Sequence, residues 1–441
     1  MRETLGRVLA AARRSPAMVG SLAIILALVG ISIYAIVAIP LSEAIALWDR
    51  TNEVWVDTPR SALPAWTNLF RREKLPETRI VRTDDVRSTT ETLTEAMWRE
   101  TAIVTFDYPF SVFPAEVAFH FGVDYDRLEP LVTLTWIKPD GTETKFFRGN
   151  PRQSARFWMS REIGLEEALG APPPDGAGGD RPQPDVMNGE YAIRIEALYF
   201  EEGFAMAGRV VVDGYVYGFA GTDGDGRDLM IGLLWGTPIA LVFGLLATLG
   251  TTVFGFLFAA IGAWHGGWVD AAVHRMTEVS MMIPMLPLLI MVAKFYSSSL
   301  WVMLGIIIAL GILTGAVKSY RAMFLQVKNA PYIEAARAYG AGNARIIFRY
   351  LIPKLLPALV PNLVLGIPRF VFLEASLAVL GIGDPVLPTW GKILSSGRAA
   401  LYLGHYHCVL EPAILLIVTG LAFTMLGYVL DRVFNTQLRE I

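Results

Sequence analysis

Six stretches of this 441-residue chain are apolar for long enough to cross a bilayer, at about residues 15–42, 231–263, 276–295, 300–317, 355–380 and 409–430. A hydrocarbon core about 30 Å thick takes a helix of roughly 20 residues. Inside it every backbone N–H and C=O must be satisfied within the protein, so runs of this composition can cross only as helices. With 53% hydrophobic and 18% charged residues and a mean hydropathy of +0.44, the chain is too apolar for an ordinary water-soluble protein and too charged to lie wholly in lipid. One part should sit in the bilayer and another in water.

Charge sets the direction of the spans. Arg2, Arg7, Arg13 and Arg14 precede the first run, and a basic flank stays cytoplasmic. A cleavable signal peptide, with Ala44 and Ala46 at its small-residue site, is the rival reading, but the run is longer than the roughly 7 to 15 residues of such a segment. Six spans put both termini inside. The net charge of -3 conceals an uneven distribution, since residues 43–228 hold 32 acidic and 20 basic side chains while the rest holds 9 and 18. Residues 318–354 carry seven basic side chains against the single acid Glu334, on the side that six spans make cytoplasmic. The chain thus divides into a cytoplasmic N-terminus with the first span (1–42), an acidic extracytoplasmic insert (43–220) and a membrane core (221–441).

Within the insert the pattern becomes alternating and β-branched, at 101–106, 116–122, 131–137, 144–147, 191–200 and 209–217, which predicts strands. Pro139, Asp140 and Gly141 between two of these runs have hairpin-turn chemistry. Residues 90–99 and 161–169 read as helices, the second with Ser160 as its cap and Gly170 as its stop. The run 171–184, rich in proline and glycine, reads as a surface loop. Cys408 is the one cysteine, so no intramolecular disulfide is available and the insert needs a hydrophobic core of its own. The expected architecture is a β-sandwich of immunoglobulin-like kind.

The basic island between the fourth and fifth runs has a definite local plan. Pro331 suits a first helical turn, Glu334, Ala335, Ala336, Arg337 and Ala338 favour helix, and Gly340, followed by Gly342 and Asn343, stops it. A second short helix, 344–351, sets Arg345 and Arg349 four apart on one face, and Pro353 opens the next apolar run. By itself this pattern also fits a plain solvated loop. No G-x-x-x-x-G-K-[ST] phosphate loop occurs anywhere, and the nearest stretch, GAGNARII, lacks the lysine.

The spacing of Glu334, Ala335, Ala336, Gly340, Ile352 and Pro353 resembles the cytoplasmic coupling loop of permease subunits of bacterial ABC importers, and the frame IEAARAYGAGNARIIFRYLIP is similar to the dipeptide and oligopeptide subfamily. Tyr350 and Lys354 stand where that subfamily usually has histidine and asparagine. The GTDGDGRD element at 221–228, the Glu374–Leu377 phrase and the later Pro388–Gly391 tetrad resemble it too. The resemblance covers about three fifths of the chain and implies a six-span type I importer permease with no catalytic residue and no metal or cofactor of its own. ATP and Mg would belong to two cytoplasmic ATP-binding subunits. A second permease subunit, an extracytoplasmic solute-binding protein and membrane lipid complete the implied partners, with no nucleic acid. The implied coupling residues are Glu334, Ala335, Ala336, Gly340, Arg345 and Pro353, and Glu374 in the fifth span is a candidate for the translocation pathway or for structural pairing with Arg369. Carriage of nickel or peptide-like compounds and a membrane-anchored receptor or scaffold remain alternatives; no catalytic dyad marks an intramembrane hydrolase.

Four further groups have ordinary explanations. Lys294 at the end of the third span can snorkel to the surface, and Arg275 and Glu278 can pair at helical spacing beside Asp270. His405, His407 and Cys408 are soft ligands too close in sequence to converge on one metal. Residues 384–401 are too polar to cross and should form a re-entrant or outer-surface loop.

Overall fold

The computed structural model describes residues 16–49, 52–82, 88–94, 97–125, 127–151, 154–170, 185–201 and 205–434. The basic N-terminal flank and the 171–184 loop anticipated above lie outside the described residues. In chain order come helices α1 (Pro16–Ala38) and α2 (Leu41–Trp48), strands β1 (Arg79–Arg82), β2 (Ser88–Thr94), β3 (Met97–Tyr108), β4 (Glu116–Asp124), β5 (Leu131–Ile137), β6 (Glu143–Gly149) and β7 (Ser154–Trp158). Short helices α3 (Met159–Glu162) and α4 (Leu165–Leu169), then β8 (Gly189–Tyr199) and β9 (Ala205–Asp213), complete the strand-rich part. Helices α5 (Leu229–His265), α6 (Gly267–Met282), α7 (Met285–Phe295), α8 (Leu300–Gly311), α9 (Gly315–Lys328), α10 (Pro331–Ala338), α11 (Asn343–Ile382), α12 (Trp390–Tyr402) and α13 (His407–Phe434) follow. Two compact units result, residues Arg50–Met230 and residues Met1–Asp49 with Ile231–Ile441.

In the strand-rich unit, two antiparallel sheets, ordered β1-β9-β4-β7 and β2-β3-β8-β5-β6, share one core. Val117, Phe119 and Phe121 of β4 and Val210 and Val212 of β9 meet Val104 and Phe106 of β3, Leu134 and Trp136 of β5 and Ile193 of β8. That is the expected sandwich, held without disulfides, but its strand order is not the A-B-E-D and C-F-G arrangement of an immunoglobulin domain. The hairpin at Pro139–Gly141 forms as anticipated. Gly141 takes φ +84°, its N–H donates to the Lys138 carbonyl (2.9 Å), and the Asp140 carboxylate accepts from the Thr142 N–H (2.8 Å). The helix expected at 90–99 is instead the antiparallel pair β2 and β3. Its β-branched threonines at 89, 90, 92 and 94 outweigh the helix-forming glutamates. The helix at 161–169 is two pieces broken at Gly164 (φ +95°), and Ser160 lies inside the first, whose cap position is Trp158. The Ser160 hydroxyl bonds Glu116 instead.

Asp213 leaves this sheet with one carboxylate oxygen buried and without a hydrogen bond among the described residues. Burial is the main cause that pushes its carboxyl from the ordinary 3.8 up to about 6; Glu116 and Asp57 push the same way and Arg156 opposes. The folded state therefore binds this proton more tightly than the unfolded chain, and stability is lost as pH rises from about 3.8 through about 6, above which the cost is constant. Asp213→Asn should stabilise the unit at pH 7.5 by about 1–3 kcal/mol. Thermal unfolding of the full chain followed by tryptophan fluorescence should show that gain, and should show it vanish below about pH 4, where both states are protonated.

In the helical unit, α1, α5, α11 and α13 are each long and apolar enough to cross a membrane. Two bent pairs, α6 with α7 (72°) and α8 with α9 (45°), raise the count to as many as six if each pair is one span. Pro284 breaks the first pair, because proline cannot continue the α6 hydrogen-bond ladder. The outward faces of α1 (Leu26, Ile33, Val37) and α13 (Ile414, Ile417, Leu421) are exposed apolar surface suited to lipid tails. Small residues let helices approach closely: a Cβ on Gly236 of α5 would lie 2.3 Å from the Trp390 ring, and one on Gly427 of α13 would lie 2.5 Å from Leu365. Trp390 is fully buried and its Nε1 donates to the Leu233 carbonyl (2.9 Å). The polar stretch at 384–401 is not the loop expected but mostly the helix α12, which buries Trp390, Ile393 and Ala400.

Candidate coupling loop and membrane cavity

Helix α10 has the boundaries its sequence implies. Pro331 occupies the first turn and the helix stops at Ala338. Gly340 takes φ +79°, its N–H donates to the Arg337 carbonyl (2.9 Å) and the Ala341 N–H reaches back to the Ala336 carbonyl (3.0 Å), the paired bonds of a Schellman terminus. Ile333 anchors the helix in a cluster with Phe256, Trp264, Tyr320, Phe324 and Ile346. The opposite face stands free. Glu334, Ala335, Arg337 and Gly340 are exposed and Tyr339 is 92% exposed, whereas Ala336 is buried beside the anchor. Arg345 and Pro353 are also exposed, Arg345 in the first turn of α11.

This loop is braced on the end of α5. The Arg337 guanidinium lies 4.4 Å from the centroid of the buried Trp264 ring, and the Lys328 ammonium lies 5.8 Å from it while donating to the Ala263 and Trp264 carbonyls (2.7 Å each). A cation near a helix C-terminus satisfies open carbonyls and complements the dipole. Asp270 of α6 pairs through both oxygens with Arg321 of α9, the Nε bond being 2.6 Å. Arg275 and Glu278 form the anticipated pair (3.2 Å). Nothing in the sequence marked the Asp270–Arg321 pair, whose members are 51 residues apart.

Glu374 and Arg369 do not pair. Five residues along a helix of 3.6 residues per turn place them about 140° apart. Glu374 is 3% exposed with one oxygen free of hydrogen bonds among the described residues, while Arg369 is exposed. Arg369 instead faces a cavity of about 360 Å³ lined also by Thr251, Thr314, Ser319, Tyr320 and Asn362. It makes no ion pair among the described residues. A charged group on an otherwise apolar helix is tolerated where it faces water or a polar cavity, so Arg369 is the pathway candidate that sequence reading passed over. Glu374 packs in the protein interior.

Lys294 is exposed in the last turn of α7. The His405 and His407 rings stand 6.3 Å apart and edge to face, and no group of three or more metal-ligating side chains converges among the described residues.

Residues 230–440 match the model of the family described as binding-protein-dependent transport system inner membrane component. The dipeptide transport system permease protein DppC of Bacillus subtilis is 30% identical over 223 residues, which is 50% of this chain and 69% of that protein. The peptidoglycan transport system permease protein YejE of Agrobacterium fabrum is 33% identical over 40% of this chain and 47% of its own length. The glutathione transport system permease protein GsiD of Pectobacterium atrosepticum is 29% identical over 50% of this chain and 73% of its own. An inward-facing structure of the MetNI methionine ABC transporter aligns over 46% of this chain with a TM-score of 0.34 and 19% identity.

Proposed function

This chain belongs to the family of binding-protein-dependent transport system inner membrane components, multi-pass permease proteins of ABC importers, and on that premise we propose that it forms half of an ATP-driven pathway for peptides. The observation that carries the mechanical part is the free face of α10, a short helix locked at Gly340 and braced on Trp264 at the end of α5. A partner that grips Glu334, Ala335 and Tyr339 would move α10 as a rigid body and pass that motion to α5 and α11 through the Ile333 cluster. The chain has no phosphate loop, so ATP and Mg would be held by two cytoplasmic ATP-binding subunits. A second permease subunit would complete the pathway and an extracytoplasmic binding protein would deliver the peptide. Relatives named for dipeptides and glutathione support peptide cargo.

Purification from native membranes followed by mass spectrometry tests this reading. It expects ATP-binding subunits and a second permease to travel with the chain; a chain that travels with no ATPase is a receptor or scaffold instead.

Six spans with both termini cytoplasmic put the insert outside. Asp140→Cys in a Cys408→Ser background should react with an impermeant maleimide added to cells with an intact inner membrane. Labelling only after that membrane is broken would reverse the topology.

Within the cavity, Arg369 would hold the carboxylate of passing cargo through its planar fork of donors. Arg369→Gln should lower peptide uptake about fivefold or more, the loss of one charge-assisted bond. Glu374→Gln, on the packed side of α11, should leave uptake within about twofold. Rates of labelled-peptide uptake distinguish them, and equal effects would remove Arg369 from the pathway.

A further inference from the structure

The insert is acidic as a whole, yet one face of its four-stranded sheet carries a row of basic side chains. Arg82 of β1 is the register partner of Arg209 of β9, Arg209 that of His120 of β4, and His120 that of Arg156 of β7. One line across the sheet therefore meets a basic residue on each of the four strands. Side chains alternate along a strand, and Val117, Phe119 and Phe121 of β4, Val210 and Val212 of β9 and Phe157 of β7 point into the core. The row occupies the opposite face. At about 4.8 Å between strands it extends some 14 Å.

Like charges directly opposite one another destabilise a sheet, and the compensation in place is incomplete. Asp57 lies between the two middle members, its oxygens 2.7 Å from Arg209 Nε and 3.3 Å from His120 Nε2. At one end of the row Arg82 is exposed and makes no ion pair among the described residues. At the other, Arg156 donates through Nη2 to the Val56 carbonyl (3.2 Å), its guanidinium lies 5.2 Å from the Trp158 ring centroid, and its buried Nε has no hydrogen bond among the described residues. His120 contributes no positive charge near neutral pH. Burial first, then Arg156 and Arg209, push it down to about 4 against the pull of Asp57. Three arginines thus face one carboxylate within the row, and Asp213, on the same face of β9, is a second acid that acts on Arg156. Above them is an open pocket of about 660 Å³, where Gly122, Ala155, Ala207 and Gly208 leave room beside the guanidinium groups.

We propose that this row is a binding site for a phosphate-class oxyanion with at least two negative charges, presented by a soluble phosphorylated molecule or by a lipid headgroup. A guanidinium offers a rigid fork of donors that matches phosphate oxygens. A phosphate or diphosphate has enough acceptors to engage two neighbouring arginines at once, which a single carboxylate spanning one fork does not. The pocket is also within the size range of small-molecule sites, roughly 300–1,000 Å³. The occupant would replace repulsion along the row with charge-assisted bonds, and its affinity would fall as salt rises.

The test titrates pyrophosphate by calorimetry into the full chain held in nanodiscs of phosphatidylcholine, at low and high salt. Saturable, salt-sensitive binding is expected, weakened about tenfold by Arg82→Gln and again by Arg156→Gln, each deleting one charged fork. Arg82 is exposed at the end of its strand, so Arg82→Gln keeps the test meaningful if Arg156→Gln perturbs folding; near-ultraviolet circular dichroism reports that. Repeating the titration in nanodiscs with phosphatidylglycerol separates the two sources. Competition by the anionic lipid assigns the site to a headgroup, and unchanged affinity assigns it to a soluble molecule. Absence of saturable binding, indifference to both substitutions, or equal binding of acetate would overturn the proposal.

Discussion

Gly340→Val is expected to lower ATP-driven uptake at least about tenfold while leaving the chain inserted and folded. The residue sits at φ +79° with nothing within 4 Å of where a Cβ would be, so an added Cβ meets open space and the strain falls on the backbone. Holding a β-branched residue in the left-handed region costs roughly 1–2 kcal/mol, about a tenfold shift away from the locked α10 terminus. The exposed loop can relax into another turn without disturbing the Ile333 cluster, so assembly survives and transmission fails. Gly340→Asn, which tolerates this conformation, should retain most activity. The measurement is ATPase stimulation by loaded binding protein in proteoliposomes; full stimulation in Gly340→Val would mean that the loop's geometry does not carry the coupling.

Arg227→Ala should lower the melting temperature of the strand-rich unit by about 10 °C. Arg227 and Asp223 are both buried, and Asp223 accepts from Arg227 Nε (2.8 Å) and Nη2 (2.5 Å) as well as from the backbone N–H groups of Asp225 (2.9 Å) and Arg227 (3.0 Å). Removing the guanidinium strands a charge in the interior, which costs about 3–5 kcal/mol. At roughly 2–4 °C per kcal/mol for a unit of this size, the shift is about 10 °C. Asp223→Asn with Arg227→Met removes both charges and should recover part of the loss, since a buried pair replaced by neutral groups costs less than a broken one. Fluorescence-monitored melting of the full chain checks both, and a shift under about 2 °C for Arg227→Ala would show that water reaches Asp223.

Much of this architecture is legible in the chain because its signals are local. The Pro139–Gly141 hairpin, the Gly340 terminus and the alternation of β4, β5 and β8 each depend on neighbours within a few residues. The membrane runs show in composition, and Pro284 already marks the bend between α6 and α7. What stays hidden depends on distant pairing. Arg82 and Arg209 become neighbours only through the register of β1 on β9, and Asp270 meets Arg321 only when α6 packs on α9. The 90–99 segment misleads because Glu91 and Glu95 favour helix locally while pairing of β2 with β3 settles the outcome. The separation of Glu374 from Arg369 was readable from their five-residue spacing, which sets them on different faces of one helix.

Reconstitution decides whether this chain is the transmembrane half of a peptide importer driven through α10. The chain and the partners that co-purify with it are placed in proteoliposomes, and uptake of a labelled peptide is followed with binding protein outside and ATP on the α10 side. Uptake is expected to require ATP, to stop when this chain is omitted and to fail with Gly340→Val. Uptake that continues without this chain, or ATP hydrolysis stimulated by loaded binding protein in its absence, would contradict it.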